Sequence, residues 1–364
     1  MKISFLDDEP EIFPLQYGGK ARTIVNLAKE FIKLPEVDKV TILSRSIVCD
    51  KAEFDQDGIH YVVLNDNNIM SRIAFEINDA DILNIHCCSF TFPVILGKAK
   101  KFYFLHDVLL ATAEKGSHLD KALGGQFDAI IAPSEFAKSV YEENKKIING
   151  NTKCYVIPRH INTKTFCGIS KEEIMQDEKA PALVKDIINK YEYILFFPSR
   201  PIEEKGGKYL KELSTELGKK FNNYCIVGPF GNDDVPSKSC INTDWIKSNK
   251  LKYYYSIADV TLNFSSLPES FSQICLESAY CGTPVVSFKS GNIPTLSKQI
   301  DSIILVDKTI DSILNGINNA IVMKNDLERI EQTKEKIIEN FGSKKIINEY
   351  LSLYQKYMEG LDEE

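Results

Sequence analysis

PESFSQICLESAYCGTPVV, residues 268–286, reads as a loop, a helix and a strand laid end to end. Ser270 followed by Gln273 fits a capping box, which predicts a helix starting near Phe271. Phe271, Ile274, Cys275, Ser278 and Ala279 recur at helical spacing and form its packing stripe. Gly282 and Pro284 end the helix, and Val285–Phe288 follows as a short apolar strand.

The same alternation runs outward in both directions. Upstream, strands are predicted at Tyr193–Phe197, Cys225–Val227 and Val260–Phe264, with a helix over Lys208–Phe221; downstream, at Ile303–Val306. An earlier series has strands at Ile3–Leu6, Val40–Leu43, His60–Leu64, Ile82–His86, Phe102–Leu105, Ala129–Ala132 and Tyr155–Ile157. Its helices are Ala21–Phe31 and one capped by Ser134. Short apolar runs separated by helical periods predict parallel sheets with helical crossovers. The expected architecture is α/β, with an N-terminal domain over residues 1–168 and a C-terminal domain over 190–341. The charged stretch Cys167–Tyr191 reads as a helical linker. A tail helix from Ser343 carries Ile346, Ile347, Tyr350, Leu351 and Tyr354 in register.

Ligands of open α/β sheets bind at the carboxyl ends of the strands. That places Tyr17–Gly19, His86, His106, Arg200 and Pro268–Ser272 under suspicion. The amides of Phe271, Ser272 and Gln273, at the expected helix start, offer a seat for a diphosphate. Glu269, in the loop before it, and Glu277, off the packing stripe, would repel phosphate and suit sugar or ribose hydroxyls instead. In SRPIEEKGGKYL, Arg200 and Lys205 flank a glycine-rich helix start and can neutralise a diphosphate, the arginine through bidentate contacts. Gly18 and Gly19 in PLQYGGKARTIVNLAKEF allow close backbone approach, although the motif is neither GxGxxG nor a P-loop. His86 and His106 each follow a strand. No HxH, HExxH or carboxylate cluster appears, so no metal site is expected; Asp233 and Asp234 read as turn residues.

Bulk properties narrow the class. The chain has 364 residues and a formal net charge of −7, which argues against a nucleic-acid partner. Lys98, Lys100 and Lys101 read as a solvated surface run. Nine cysteines without CxxC spacing fit a reducing, cytoplasmic setting, with vicinal Cys87 and Cys88 read as buried thiols. The opening MKISFLDDEP is not a signal peptide, and no window of about 18 apolar residues predicts a membrane span.

Taken together, the chain resembles the family 4 retaining glycosyltransferases of the GT-B fold. The resemblance runs in order through PLQYGGKARTIVNLAKEF, DADILNIHCCSF, FYFLHDV, FDAIIAPSEFAKSVYEE, VIPRHINTKTF, FFPSRPIEEKGGKYL, YYYSIADVTLNFSS and PESFSQICLESAYCGTPVVSFKSGNIP. It implies two Rossmann-like domains facing across a cleft, with the tail helix crossing back to the first. It implies transfer of a sugar, with retained anomeric configuration, from a nucleotide-diphosphate sugar, a UDP-sugar being favoured. No cofactor or metal is required in that chemistry. Arg200 and Lys205 would hold the diphosphate, helped by amides at Gly18, Gly19 and Ser270–Gln273. Glu269 would bind the donor sugar, Glu277 the ribose, and His106 would stand beside the reacting centre. Tyr17, His86 and Phe90 would lie on the acceptor side. The acceptor is left open among a glycan, a lipid-linked saccharide and a protein, as are peripheral contact with the inner face of a membrane and the oligomeric state. A sugar-nucleotide epimerase or hydrolase of the same fold, and a non-catalytic binding protein, remain alternatives. Three departures stand out: PRHIN where an Asn-Gly pair is usual, Ser270 in place of glycine or proline, and a short 228–245 region.

Overall fold

The computed structural model describes residues 1–7, 18–46, 52–65, 67–87, 97–106, 127–148, 152–231 and 236–361. Tyr17, Cys88, Phe90, Asp233 and Asp234 lie outside them. The chain divides into two units, residues 1–160 with 343–364, and residues 161–342.

The first unit runs β1 (Lys2–Asp7), α1 (Gly18–Phe31), β2 (Lys39–Arg45), β3 (Glu53–Gln56), β4 (Ile59–Leu64), α2 (Ile69–Asp79), β5 (Ile82–Cys87), β6 (Lys100–Phe104), β7 (Ala129–Ala132), α3 (Glu135–Ile148) and β8 (Cys154–Val156). Its sheet has the order β3-β4-β2-β1-β5-β6-β7-β8. All neighbours are parallel except the β3–β4 hairpin, which the sequence reading missed. Alternate strand residues serve opposite faces, as a pleated strand requires. Ile3, Phe5, Ile42 and Phe102 pack toward α1, whereas Leu6, Leu43, Leu83 and Tyr103 form a separate core.

The second unit runs α4 (Lys171–Gln176), α5 (Ala182–Lys190), β9 (Tyr193–Phe196), α6 (Lys208–Lys220), β10 (Tyr224–Gly228), β11 (Cys240–Asn242), α7 (Leu251–Ile257), β12 (Val260–Asn263), α8 (Gln273–Tyr280), β13 (Val285–Phe288), α9 (Ile293–Gln299), β14 (Ile303–Val306), α10 (Ile310–Lys324) and α11 (Leu327–Phe341). Its sheet is parallel throughout, in the order β11-β10-β9-β12-β13-β14. The stretch read as a linker folds into this unit. Ile174, Val184 and Ile187 from α4 and α5 are buried in the core that also holds Phe196, Leu276 and Phe341. Each side chain fully buried there contributes about 1.5–3 kcal/mol, enough to outweigh the charge of the segment. Between β10 and β11 no helix occurs among the described residues, in keeping with the short connection.

The chain then returns to the first unit as α12 (Ser343–Met358). Ile346, Ile347, Tyr350, Leu351 and Tyr354 are buried, on the face the sequence predicts. Tyr354 is fully enclosed, packs on Phe31 and Phe102, and donates its hydroxyl to Asn84 Oδ1 at 2.7 Å. Lys101 departs from the solvated run expected of it. Its ammonium is buried against the Gly97 and Ala99 carbonyls, both at 3.0 Å, and burial lowers its pKa.

Candidate functional site

In the second unit the strand order reverses between β9 and β12, which lie side by side. The loops leaving their carboxyl ends carry the glutamate and cation motifs read from the sequence. Ligands of open parallel sheets sit at such a switch point.

The loop after β9 is pinned rather than free. It passes through a short 3₁₀ turn at Glu203–Lys205 and then Gly206, whose φ of 86° lies in the left-handed region. A Cβ on Gly206 would come within 2.3 Å of Phe264 Cβ, and one on Gly207 within 2.0 Å of the Pro201 carbonyl oxygen. The glycine pair is therefore demanded by packing, independently of any ligand. Ser266 adds two bonds to the Glu204 carbonyl, from its amide at 2.8 Å and its hydroxyl at 3.1 Å. The result brings Lys205 Nζ to 2.7 Å from Glu269 Oε1 and 3.5 Å from Ser265 Oγ. Glu269 is held in turn by the Asn292 amide, which donates to its carbonyl at 2.8 Å. The two side chains are 34% and 19% exposed. A pair this wet contributes about 0.2–1 kcal/mol. Arg200, on the same loop, is exposed and makes no hydrogen bond or ion pair with a described residue.

The helix start differs from the expected one. The N-cap of α8 is Ser272, not Ser270, and its side chain makes no capping hydrogen bond. Ser270 and Phe271 lie in the preceding loop, both buried, with Phe271 edge-on to Phe341 at 5.6 Å between centroids. The leading amides of the helix are thus those of Gln273, Ile274 and Cys275. Tertiary contacts decide this: the Phe271 ring is anchored in the core, and Ser272 is held at φ 76°, so regular helix begins only beyond it.

Glu277 is 2% exposed, and Tyr255 donates its hydroxyl to Oε2 at 3.2 Å. Around it α8 is buried on most sides, from Cys275 to Ala279.

In the first unit, His86 is next to last in β5 and His106 follows β6. The two rings meet, His86 Nδ1 to His106 Nε2 at 2.5 Å, and Arg159 Nη2 lies 3.1 Å from His106 Nδ1. A guanidinium only donates, so His106 Nδ1 must accept. Its proton then sits on Nε2 and is donated to His86 Nδ1, which leaves the His86 proton on Nε2. That nitrogen is buried without a partner among the described residues. Burial, first of all, holds both imidazoles well below their ordinary pKa; Lys20 and Arg159 act in the same direction on each, and His86 on His106. Both ring nitrogens of His106 are committed within the unit. Gly18 and Gly19 open α1, and Lys20 reaches the fully buried carboxylate of Asp7 at 2.9 Å. Lys20 and Arg159 were missed by sequence reading. A lysine after the glycine pair and an arginine in the unusual PRHIN loop were the available signals.

Lys205 and Glu269 are thus brought together, and so are His86 and His106. Among the described residues no group of three or more histidine, cysteine or acidic side chains is placed to hold a metal. No described helix is long and apolar enough to cross a membrane.

Residues 182–337 match the family model for glycosyl transferases group 1. Sucrose-phosphate synthase from Thermosynechococcus elongatus is similar at a TM-score of 0.73 and 12% identity, over 99% of this chain and 99% of that one. A glycosyltransferase from Rickettsia africae gives 0.71 and 18%, over 98% of each. HepE of Anabaena, solved in complex with UDP-glucose, gives 0.72 and 17%, over 97% of this chain and 99% of that one. No curated protein sequence matches. At these identities the likeness carries the fold, which is GT-B.

Proposed function

We propose that the protein, whose residues 182–337 match the family model for glycosyl transferases group 1, is a retaining glycosyltransferase. Its donor is a nucleotide-diphosphate sugar, with UDP-hexose the first choice, because a structural relative binds UDP-glucose. The acceptor is a saccharide, free or carried on a lipid or protein. The chemistry breaks the bond between the anomeric carbon and the diphosphate, and negative charge builds on the departing oxygen. Arg200 and Lys205 meet that charge, with the first amides of α8 beside them. Preorganised groups of this kind are each worth about 10²–10³ in rate. Glu269, released from Lys205 as the diphosphate arrives, turns to the sugar hydroxyls. Glu277, fixed by Tyr255, takes the ribose. His106 is assigned to the sugar near the reacting carbon. With its Nδ1 held by Arg159, it offers an Nε2–H donor once His86 gives way.

The observation that carries this reading is the convergence of Lys205 and Glu269 from loops after two adjacent strands at the switch point. A cation for phosphate and a carboxylate for hydroxyls, 2.7 Å apart, match the two halves of a sugar diphosphate. The test is a thermal-shift panel of UDP-, GDP- and ADP-sugars, followed by product analysis with candidate acceptors. Protection by one donor and sugar on an acceptor, with the anomeric configuration retained by NMR, is expected. Free sugar or an epimer as the only product would replace this reading with a hydrolase or epimerase. No protection by any donor would remove it.

A further inference from the structure

Ser272 carries a side chain yet sits at φ 76°, ψ 88°, a conformation that residues with a Cβ rarely adopt. Something must hold it there. Its hydroxyl is buried and accepts from Asn263 Nδ2 at 3.3 Å, while it donates to Cys275 Sγ at 3.3 Å. Asn263 is the last residue of β12, 1% exposed, and the same amide nitrogen donates to Ser287 Oγ on β13 at 3.1 Å. Two adjacent strands therefore fix one amide group, and that group fixes the left-handed serine. Cys275 Sγ lies 3.6 Å from the same nitrogen, which ties in the first turn of α8.

The turn at Ser272 lies three residues after Glu269 and immediately before the first helical amide. Its torsion sets the direction in which the Gln273–Cys275 amides point. We propose that Asn263 is a positioning residue for the donor's diphosphate, acting through Ser272 and never touching the ligand. The proposal rests on the nucleotide-sugar reading of the site and adds to it the device that aims the amides. Glycine would adopt the same torsion without a latch. This chain instead uses a serine and supplies the latch from the sheet.

The test uses the whole protein and UDP as the probe. Asn263→Ala is expected to weaken UDP binding about ten-fold, equivalent to about 1.4 kcal/mol. Adding Ser272→Gly to that variant is expected to restore at least half of the loss on a logarithmic scale. A merely structural asparagine would give the opposite, because glycine adds flexibility to an already weakened loop. Should Asn263→Ala fail to fold, Ser272→Ala against Ser272→Gly reads the same device. The glycine variant is expected to bind UDP at least five-fold tighter than the alanine variant. Amide hydrogen exchange at residues 272–275 in the ligand-free protein is the second readout. Exchange at least ten-fold faster in Asn263→Ala, or in Ser272→Ala relative to Ser272→Gly, supports the proposal; unchanged exchange overturns it. Absence of UDP binding to the unmodified protein refutes the choice of UDP alone and leaves the exchange measurement to decide whether Asn263 holds the turn. UDP binding without the glycine rescue refutes the latch and spares the site.

Discussion

Lys205 and Glu269 are separated by 64 residues in sequence and by 2.7 Å between Nζ and Oε1. Their contact is partly wet, so it adds little to stability. Its importance is positional. Lys205→Ala should change unfolding free energy by no more than about 1 kcal/mol, yet lower transfer by about 10²–10³. Urea denaturation and steady-state kinetics on one preparation check both halves. Near-normal transfer would remove Lys205 from the machinery.

Gly207 gives the reverse pattern. A methyl group there would lie 2.0 Å from the Pro201 carbonyl oxygen, so the loop must shift. Gly207→Ala should cost about 1–3 kcal/mol by overpacking. It should also weaken donor binding, because the displaced loop loses the Glu204–Ser266 bonds that set Lys205. Unchanged melting temperature with unchanged donor affinity would show that the loop is not braced in this way.

The histidine chain fixes a tautomer that can be read directly. Long-range ¹⁵N NMR should find His106 protonated on Nε2 and unprotonated on Nδ1, and still neutral at pH 6. Its charged surroundings are Arg159 and Lys20, the latter paired with Asp7, and its neighbour is His86. Arg159→Met should raise its pKa toward the ordinary histidine value. A proton on Nδ1 in the unmodified protein would overturn the assignment.

The same burial makes stability depend on acid. His86 and His106 titrate well below their unfolded value, and burial lowers His160 to about 4. Between the folded and unfolded values the unfolded chain binds more protons. Stability is therefore full above the ordinary histidine pKa and falls as pH drops through it. His160 alone accounts for a loss on the order of 3 kcal/mol by pH 4. Denaturation at pH 7, 6, 5 and 4 should show the fall, and His160→Gln should flatten it.

Lys324 predicts a slope at the alkaline end. Its ammonium is buried at the C-terminal end of α8, 2.7 Å from Thr283 Oγ1 and 3.1 Å from the Gly282 carbonyl. Burial lowers its pKa to about 8, against the opposing pull of Asp259. The unfolded chain holds this proton to higher pH, so its contribution to stability rises from pH 8 upward. Below pH 8 it is flat. Lys324→Met should remove the rise between pH 8 and 9.5, measured by urea unfolding. The same slope in the variant would assign it to other groups.

The sheets were legible because their strands are short apolar runs between turn signals, as at Ile82–Cys87 and Val285–Phe288. The tail helix was legible from its stripe. What escaped was decided by contacts that residue patterns do not encode. Ser270 and Gln273 satisfy a local capping pattern, but Asn263 on another strand places the cap at Ser272. The burial of Glu277 escaped because its helix was read as one-sided, whereas α8 is buried on most sides. Lys101 disappears against two carbonyls that no charge count reveals. Lys205 and Glu269 were each legible as a residue type, but their meeting depends on Gly206 fitting against Phe264.

The docking of Tyr354 on Asn84, across 270 residues of chain, has a consequence for biosynthesis. While the polypeptide emerges from the ribosome, residues 161–342 are complete before α12 exists. The first unit, although made earlier, still lacks the helix that covers Phe31 and Phe102. It must wait with that apolar face uncovered until residues 343–358 arrive, and the order of synthesis and the order of completion are reversed.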